Sequence, residues 1–584
     1  MHGPAALARM MDMANHFDFA GKFGTTRLDD GSVRFRLWAP VQETVSVAFE
    51  TGDLLPMRRS PDGWFEAVKA VPDGTRYRYR LSDGQLVPDP ASRAQAPDVH
   101  DASVVTTASF VWKHPDWRGR PWTETVLYEI HAGVAGGFRG VQDDLPRLKR
   151  LGVTAIELMP VNDFPGKRNW GYDGVLPYAP DSAYGSPQEL KELVDAAHGL
   201  GMMMFLDVVY NHFGPDGNYL GAYAPQFFRD DVKTPWGPAI DFRRREVRDY
   251  FICNVLMWLM EFRFDGLRFD AVHAIHEQDW VEEMAAAVRR TVEPDRHVHL
   301  VLEHHNAGSH LRNGIDAQWN DDGHNVLHVL LTNEDGGYYA DYANDPAAKL
   351  ARVLAEGWVF QGEHCTYLNA PRGEPGADLP PYAHVLFLQN HDQVGNRAFG
   401  ERLTSLASPD ALEAAIVLLM LCPQIPLLFV GEETASKTPF LFFTDHHAEL
   451  AVAVREGRRQ EFAGFAEFAD PDRRERIPDP NAPETFTASI PKSGGNDRFA
   501  LYQRLIALRL QEIVPRLVGS VSVGARAIGP KAVLAHWRLG DGTHLTIVTN
   551  LGTEVVSFET PPGRLLFSTG VSAPMTAAYL EVAA

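Results

Sequence analysis

From Thr125 onward the chain repeats one unit, an apolar run of strand length followed by an amphipathic stretch of helix length. VLYEI (126–130) precedes a helical pattern around DDLPRLKRLG, TAIELMPV (154–161) precedes QELKELVDAAHGLG, and MMMFLDVVY (202–210) comes next. Parallel strands need long crossovers and helices supply them, so this alternation implies a parallel sheet. Five further runs, FDGLRFD, HLVLE, IDAQW, HVLFLQ and IPLLFVGEE, bring the candidate strands to eight. Eight is the number that closes a (β/α)8 TIM barrel, which makes an α/β barrel the expected core.

The pattern changes on either side of this region. From about Gly21 to Thr107 short alternating stretches such as SVRFRLWAP and TRYRYRL are separated by the turn signals DDG, PDG and SDG. That pattern predicts a small antiparallel β-sandwich, immunoglobulin-like in layout, at 16–107. The Pro- and Asp-rich passage LVPDPASRAQAPDVHD marks the first boundary, and residues 108–120 read as a linker. The barrel is expected over 121–515, a span long enough to require loop insertions. KAVLAHWRL and HLTIVTNL then return to short strands, predicting a C-terminal antiparallel β-domain, a second sandwich, at 516–584.

Composition excludes several partners. A formal charge of −21, from 55 basic and 76 acidic residues, disfavours nucleic acid and anionic membrane surfaces, both of which need a basic face. Three cysteines, Cys253, Cys365 and Cys422, are too few for a disulfide framework and lack zinc-site spacing, so a reducing, cytoplasmic setting is expected. The opening MHGPAALARMMDMANHFDF has no basic start followed by an apolar core, and no run reaches the length of a membrane span.

Four strand ends carry acids, histidines or an arginine: LDVVYNH with Asp207 and His212, FDGLRFDAVH with Arg268, Asp270 and His273, LVLEH with Glu303, and FLQNHDQ with His391 and Asp392. Residues two apart on a strand share a side, so Arg268 stands beside Asp270 and keeps it ionised and oriented, as a nucleophile requires. An isolated Arg-x-Asp is more often a simple strand-end salt bridge, and a lone Glu after an apolar strand is more often a paired structural acid. A barrel changes that weighting, because it gathers strand ends on one rim. There Glu303 is placed to protonate a leaving oxygen, and His391 and Asp392 suit vicinal sugar hydroxyls. Tyr172 and Asp173 occupy the Gly-rich loop NWGYDG, where an aromatic face suits stacking on a pyranose ring.

Together these segments resemble the α-amylase superfamily of glycoside hydrolases and glucosyltransferases, with DVVYNH after the third strand, GLRFDAVH after the fourth, LE after the fifth and NHD after the seventh. The resemblance implies that Asp270 is the nucleophile, Glu303 the general acid/base, and Asp392 the carboxylate that binds and distorts the sugar. It further implies that Arg268 holds Asp270, that His212 and His391 bind sugar hydroxyls, and that Tyr172 stacks on the ring. No metal or other cofactor is implied. Asn211 matches a position that binds calcium in many amylases, but intracellular members often lack the rest of that site.

The segments RNWGYDGVLPYAPDSAYGSPQELKELVDAAHGLGM and YNHFGPDGNYL resemble two groups, glycogen-branching enzymes and malto-oligosyltrehalose trehalohydrolases. DAQWNDDGHNVLHVLLTNEDGGYYADY, FLQNHDQVGNRAFGERL and VREGRRQEFAGF resemble the second group selectively. That likeness implies retaining hydrolysis of the α-1,4 bond next to the terminal trehalose of maltooligosyl trehalose, with functional coupling to a maltooligosyl trehalose synthase. A branching enzyme, which passes the sugar to a glucan hydroxyl, is the second reading, and a non-catalytic amylase-like binding protein the third. Arg397 and Glu401 are candidates for contact beyond the cleaved bond.

Departures from the pattern fall near the leaving-group side. His304 and His305 follow Glu303 where members usually place Asp or Asn, the loop HAGVAGGFRG is about three residues shorter than usual and lacks the expected aromatic, and Thr434 stands where Trp is expected. Among other conspicuous residues, Asp316 and His324 are expected to be structural, Met202 to Met204 to fill core, and Trp38 and Trp64 to pack inside the sandwich.

Overall fold

The computed structural model describes residues 21–581 except 107, 108, 235, 465–467, 469, 493 and 571. The start of the expected sandwich, 16–20, and the segment read for an export signal lie outside the described residues. The chain divides into two compact units, Met1–Gly119 with His131–Asp143 and Leu158–Leu300, and Arg120–Ile130 with Asp144–Glu157 and Val301–Ala584.

The first unit begins with two antiparallel sheets. One orders Gly24–Arg27, Val33–Trp38, Trp64–Lys69 and Arg58–Arg59; the other orders Leu54–Pro56, Ser46–Phe49, Arg76–Arg80, Ala102–Val104 and Gln95–Ala96, with Leu86–Val87 beside Arg76–Arg80. Alternation decides which face is inside: Val33, Phe35 and Leu37 are buried while Arg34 and Arg36 are not. Phe35 meets Tyr77 edge to face at 5.0 Å. Trp38 and Trp64 are both buried, Trp64 against Phe23 and under the Arg36 guanidinium, so they serve as packing residues.

The eight apolar runs form a closed barrel in sequence order. Its strands are β1 Leu127–Ile130, β2 Ala155–Leu158, β3 Met203–Val208, β4 Gly266–Phe269, β5 His299–Leu302, β6 Ala317–Trp319, β7 His384–Phe387 and β8 Ile425–Phe429. Every residue of these strands is buried, as expected for a parallel sheet wrapped in helices. Met202, Met203 and Met204 have no exposed surface. The helix Pro187–Gly199 that leads into β3 starts on a capping box: Ser186 accepts from the Glu189 N–H, and the Glu189 side chain accepts from Ser186.

The second unit ends in a five-stranded antiparallel sheet, ordered Val521–Gly529, Ala532–Arg538, His544–Asn550, Met575–Glu581 and Arg564–Ser568. It is pinned to barrel helices of its own unit, Trp537 donating to the Leu354 carbonyl at 3.1 Å and Thr576 to that of Ala414 at 2.8 Å. The three cysteines are buried and unpaired with one another. No helix among the described residues is long and apolar enough to cross a membrane.

Candidate active site

In the first unit the β3–β4 register sets the site. Asp207 pairs with Arg268 across the sheet, and Asp270 follows β4 by one residue, its N–H donating to the Val208 carbonyl at 3.0 Å. Arg268 is wholly buried, and one guanidinium nitrogen bridges two carboxylates, 2.9 Å from Asp270 Oδ1 and 2.7 Å from Asp207 Oδ2. A buried guanidinium and two carboxylates compensate one another, which isolated burial of any of them would not allow. The Asp207 oxygen also accepts from the Tyr172 hydroxyl at 2.6 Å, tethering the loop ring. Ala271 then adopts φ 39°, in the left-handed region that a residue with a Cβ enters at a cost of about 1–3 kcal/mol. This turn leaves His273 exposed on the segment Val272–Ala274.

Asn211 supplies the remaining grip on Asp270. Its amide nitrogen donates to Oδ2 at 2.9 Å and to the Asp270 main-chain carbonyl at 3.0 Å. The amide oxygen of Asn211 faces His212 Nδ1, and His212 Nε2 faces the Tyr172 carbonyl at 3.0 Å. Burial pushes the His212 imidazole below its ordinary value, opposed by Asp270 and Asp173. The Trp236 ring lies on the His212 ring, centroids 4.6 Å apart and planes within 14°, while nearly half of the tryptophan remains exposed. Asn211 as a donor to Asp270 and Trp236 as a cover for His212 were not read from the sequence. Asn211 sits inside DVVYNH, so its position carried a signal that the calcium comparison obscured. Trp236 lies in a hairpin turn without periodicity to expose it.

In the second unit Glu303 is partly exposed at the end of β5. His304 beside it is buried, and its Nδ1 accepts the Asn306 N–H at 2.7 Å. A nitrogen that accepts carries no proton, so in this arrangement the ring is the neutral Nε2–H tautomer. At the end of β7, Asn390 caps the short helix His391–Gly395 by accepting from the Asp392 N–H, and Asp392 is about one-third exposed. His391 lies between two carboxylates. Its Nδ1 is 2.5 Å from Glu129 Oε1, its Nε2 is 3.5 Å from Asp392 Oδ2, and its main-chain N–H donates to Glu129 Oε2 at 3.1 Å. Glu129, inside the apolar run of β1, was also missed, although an acid within a wholly buried strand is itself a sign of a specific partner.

Arg397 is held by its own neighbours, donating to both Glu334 oxygens at 2.7 and 2.9 Å and to Glu401 at 3.2 Å. Glu334 is held down to about 2: burial acts to raise it, but His328 and Arg397 outweigh that. His324 is fully buried with Nδ1 2.7 Å from the Leu388 carbonyl, a structural role. Among the described residues no group of three or more His, Cys, Asp or Glu side chains is placed to hold a metal.

Comparison with known proteins agrees with this layout. The Alpha amylase, catalytic domain family matches residues 116–226, Carbohydrate-binding module 48 (Isoamylase N-terminal domain) matches 22–93, and a domain of unknown function matches 522–580. The chain is 40% identical to malto-oligosyltrehalose trehalohydrolase of Deinococcus radiodurans, over 84% of each protein, and 35% identical to that of Rhizobium sp. (strain M-11), over 94% of this chain and 96% of the relative. A crystal structure from Salmonella typhimurium, of a candidate alpha amylase, superposes at TM-score 0.89 with 41% identity, covering 96% of this chain and all of the other. Likeness to the 1,4-alpha-glucan branching enzyme of Rhodospirillum rubrum is shorter, 33% identity over 46% of this chain and 42% of the relative. The chain belongs to the malto-oligosyltrehalose trehalohydrolases, glycoside hydrolases of the α-amylase fold.

Proposed function

We propose that this protein cleaves the α-1,4-glucosidic bond next to the terminal trehalose of maltooligosyl trehalose and releases trehalose with retention at the cleaved centre. Likeness to trehalohydrolases over 84% of the chain carries the reading. Asp270 attacks the anomeric carbon while Glu303 protonates the leaving trehalose oxygen, giving a covalent glycosyl-enzyme. Glu303 then takes a proton from water, which displaces Asp270. Retaining enzymes place two such carboxyl groups about 5–5.5 Å apart.

Arg268 and Asn211, each donating to one oxygen of Asp270, support the nucleophile's assignment, because they orient the carboxylate and stabilise its charge. Asp392 and His391 are assigned to hydroxyls of the glucosyl unit being cleaved, and Tyr172 to stacking on its ring. With both nitrogens engaged and Trp236 over its ring, His212 acts by holding Asn211 and the Tyr172 main chain. Arg397 and Glu401 act indirectly, by fixing the loop that carries Glu334. The substrate follows from an enzyme that builds the trehalose end onto a maltodextrin, a maltooligosyl trehalose synthase. Three buried cysteines with no disulfide among them suit a reducing cytoplasm.

Incubation with maltotriosyl trehalose and, separately, with amylose tests the reading. Release of free trehalose and maltotriose is expected, abolished in Asp270→Asn. New α-1,6 branches on amylose would instead establish the transferase reading, and no change with either substrate would leave a binding protein.

A further inference from the structure

Glu129 is 1% exposed in the middle of β1, where an uncompensated carboxylate is costly. Both of its oxygens go to one residue, Oε1 to His391 Nδ1 at 2.5 Å and Oε2 to the His391 main-chain N–H at 3.1 Å. His391 is equally buried, and its other nitrogen points to Asp392 at 3.5 Å. The Trp319 ring of β6 packs beside the imidazole, centroids 6.0 Å apart, and brings no charge. The carboxylates at its two ring nitrogens are Glu129 from β1 and Asp392 from its own turn. A carboxylate only accepts, so a ring between two of them is satisfied when both nitrogens carry protons.

We propose that Glu129 is a positioning residue for the glycosidic reaction: it fixes the orientation of His391 and holds it as an imidazolium, so that Nε2 presents a permanent N–H to a sugar oxygen beside the accepting Asp392. The inference rests on the reading of His391 and Asp392 as sugar-binding groups. It adds a division of labour, His391 donating and Asp392 accepting, with the donor's charge set from behind by a residue out of substrate reach. A bond to a charged partner inside a protein is stronger than a neutral one, and it costs no rearrangement when substrate arrives.

The test is a double-mutant cycle in kcat and KM for maltotriosyl trehalose, with thermal unfolding of each variant. Glu129→Gln keeps the size but removes the charge and one acceptor. It is expected to lower kcat/KM about 10- to 100-fold at pH 7.5, the scale of a hydrogen bond to a charged group, with a smaller loss at pH 5.5 where solvent protons restore the imidazolium. Glu129→Gln/His391→Ala should be no worse than His391→Ala alone. Glu129→Asp, which keeps the charge on a shorter arm, should retain more activity than Glu129→Gln; a space-filling role predicts the reverse order and serves as the check should Glu129→Gln fold poorly. Additive losses in the double variant, or equal loss at both pH values, overturn the proposal. An unimpaired His391→Ala overturns the underlying sugar-binding reading, and the proposal with it.

Discussion

The side-chain amide of Asn211 donates to Asp270 twice, at 2.9 Å to the carboxylate and at 3.0 Å to the main-chain carbonyl. With Arg268 on the opposite oxygen, the carboxylate is left one rotamer. Asn211→Ala should lower kcat about 10- to 100-fold while leaving the fold intact, because one hydrogen bond to a charged group is lost. Asn211→Asp should be worse, since it sets a second negative charge against Asp270 in place of a donor. Steady-state kinetics beside thermal unfolding check this; an Asn211→Ala enzyme within twofold of wild type sinks it.

Arg268 has a second consequence, for stability. It is wholly buried and compensates Asp207, whose side chain is 1% exposed. Arg268→Met takes the buried cation away from that carboxylate, a loss of about 3–5 kcal/mol. Removing the buried negative charge as well, in Arg268→Met/Asp207→Asn, should recover part of the loss, so the double variant should unfold at higher denaturant than the single one. Equal or additive destabilisation in chemical unfolding would count against the bridge.

The barrel was legible because its strands are buried on both faces and read as unbroken apolar runs, each followed by a helix-length pattern. The Arg268–Asp270 bridge was legible for a local reason: the two are two apart at the end of one strand, and extended backbone carries them to the same side. What escaped reading depends on partners far along the chain. Glu129 meets His391 across 262 residues, and Arg397 looks available for substrate until Glu334, 63 residues upstream, is found on both its terminal nitrogens. Closure of the barrel creates those pairs, and no periodicity encodes them. Trp236 reaches His212 from a hairpin whose sequence says only that the chain turns there.

His304 replaces the Asp or Asn expected after the catalytic Glu, yet as acceptor of the Asn306 N–H its ring brings no positive charge beside Glu303. Its work is to brace the loop after β5, where its ring also meets His310 edge-on at 5.3 Å. His304→Asn should therefore leave both limbs of the kcat/KM–pH profile in place and cost about 1 kcal/mol of stability, the worth of a hydrogen bond. A displaced alkaline limb in that profile would show that the ring does act on the proton donor.

Asp163 and Asp181 are both buried in the first unit, and the Ser182 main-chain N–H offsets only part of what burial does to Asp163. Burial raises both, Asp181 to about 8 and Asp163 well above its ordinary value, with Asp98 adding repulsion to each. The sign follows from proton counts. Unfolded, each carboxyl titrates near its model value of 3.8, so between about pH 4 and 8 the folded chain binds more protons than the unfolded one. Stability present at the acid end of that interval is lost as pH rises through it. Asp163→Asn deletes one of the two buried acids and leaves Asp181 as the remaining one. Its melting temperature should fall less between pH 5 and pH 8 than that of wild type, with the two curves diverging toward the alkaline end. Parallel curves from scanning calorimetry across that range would mean that the pair is not held protonated by burial.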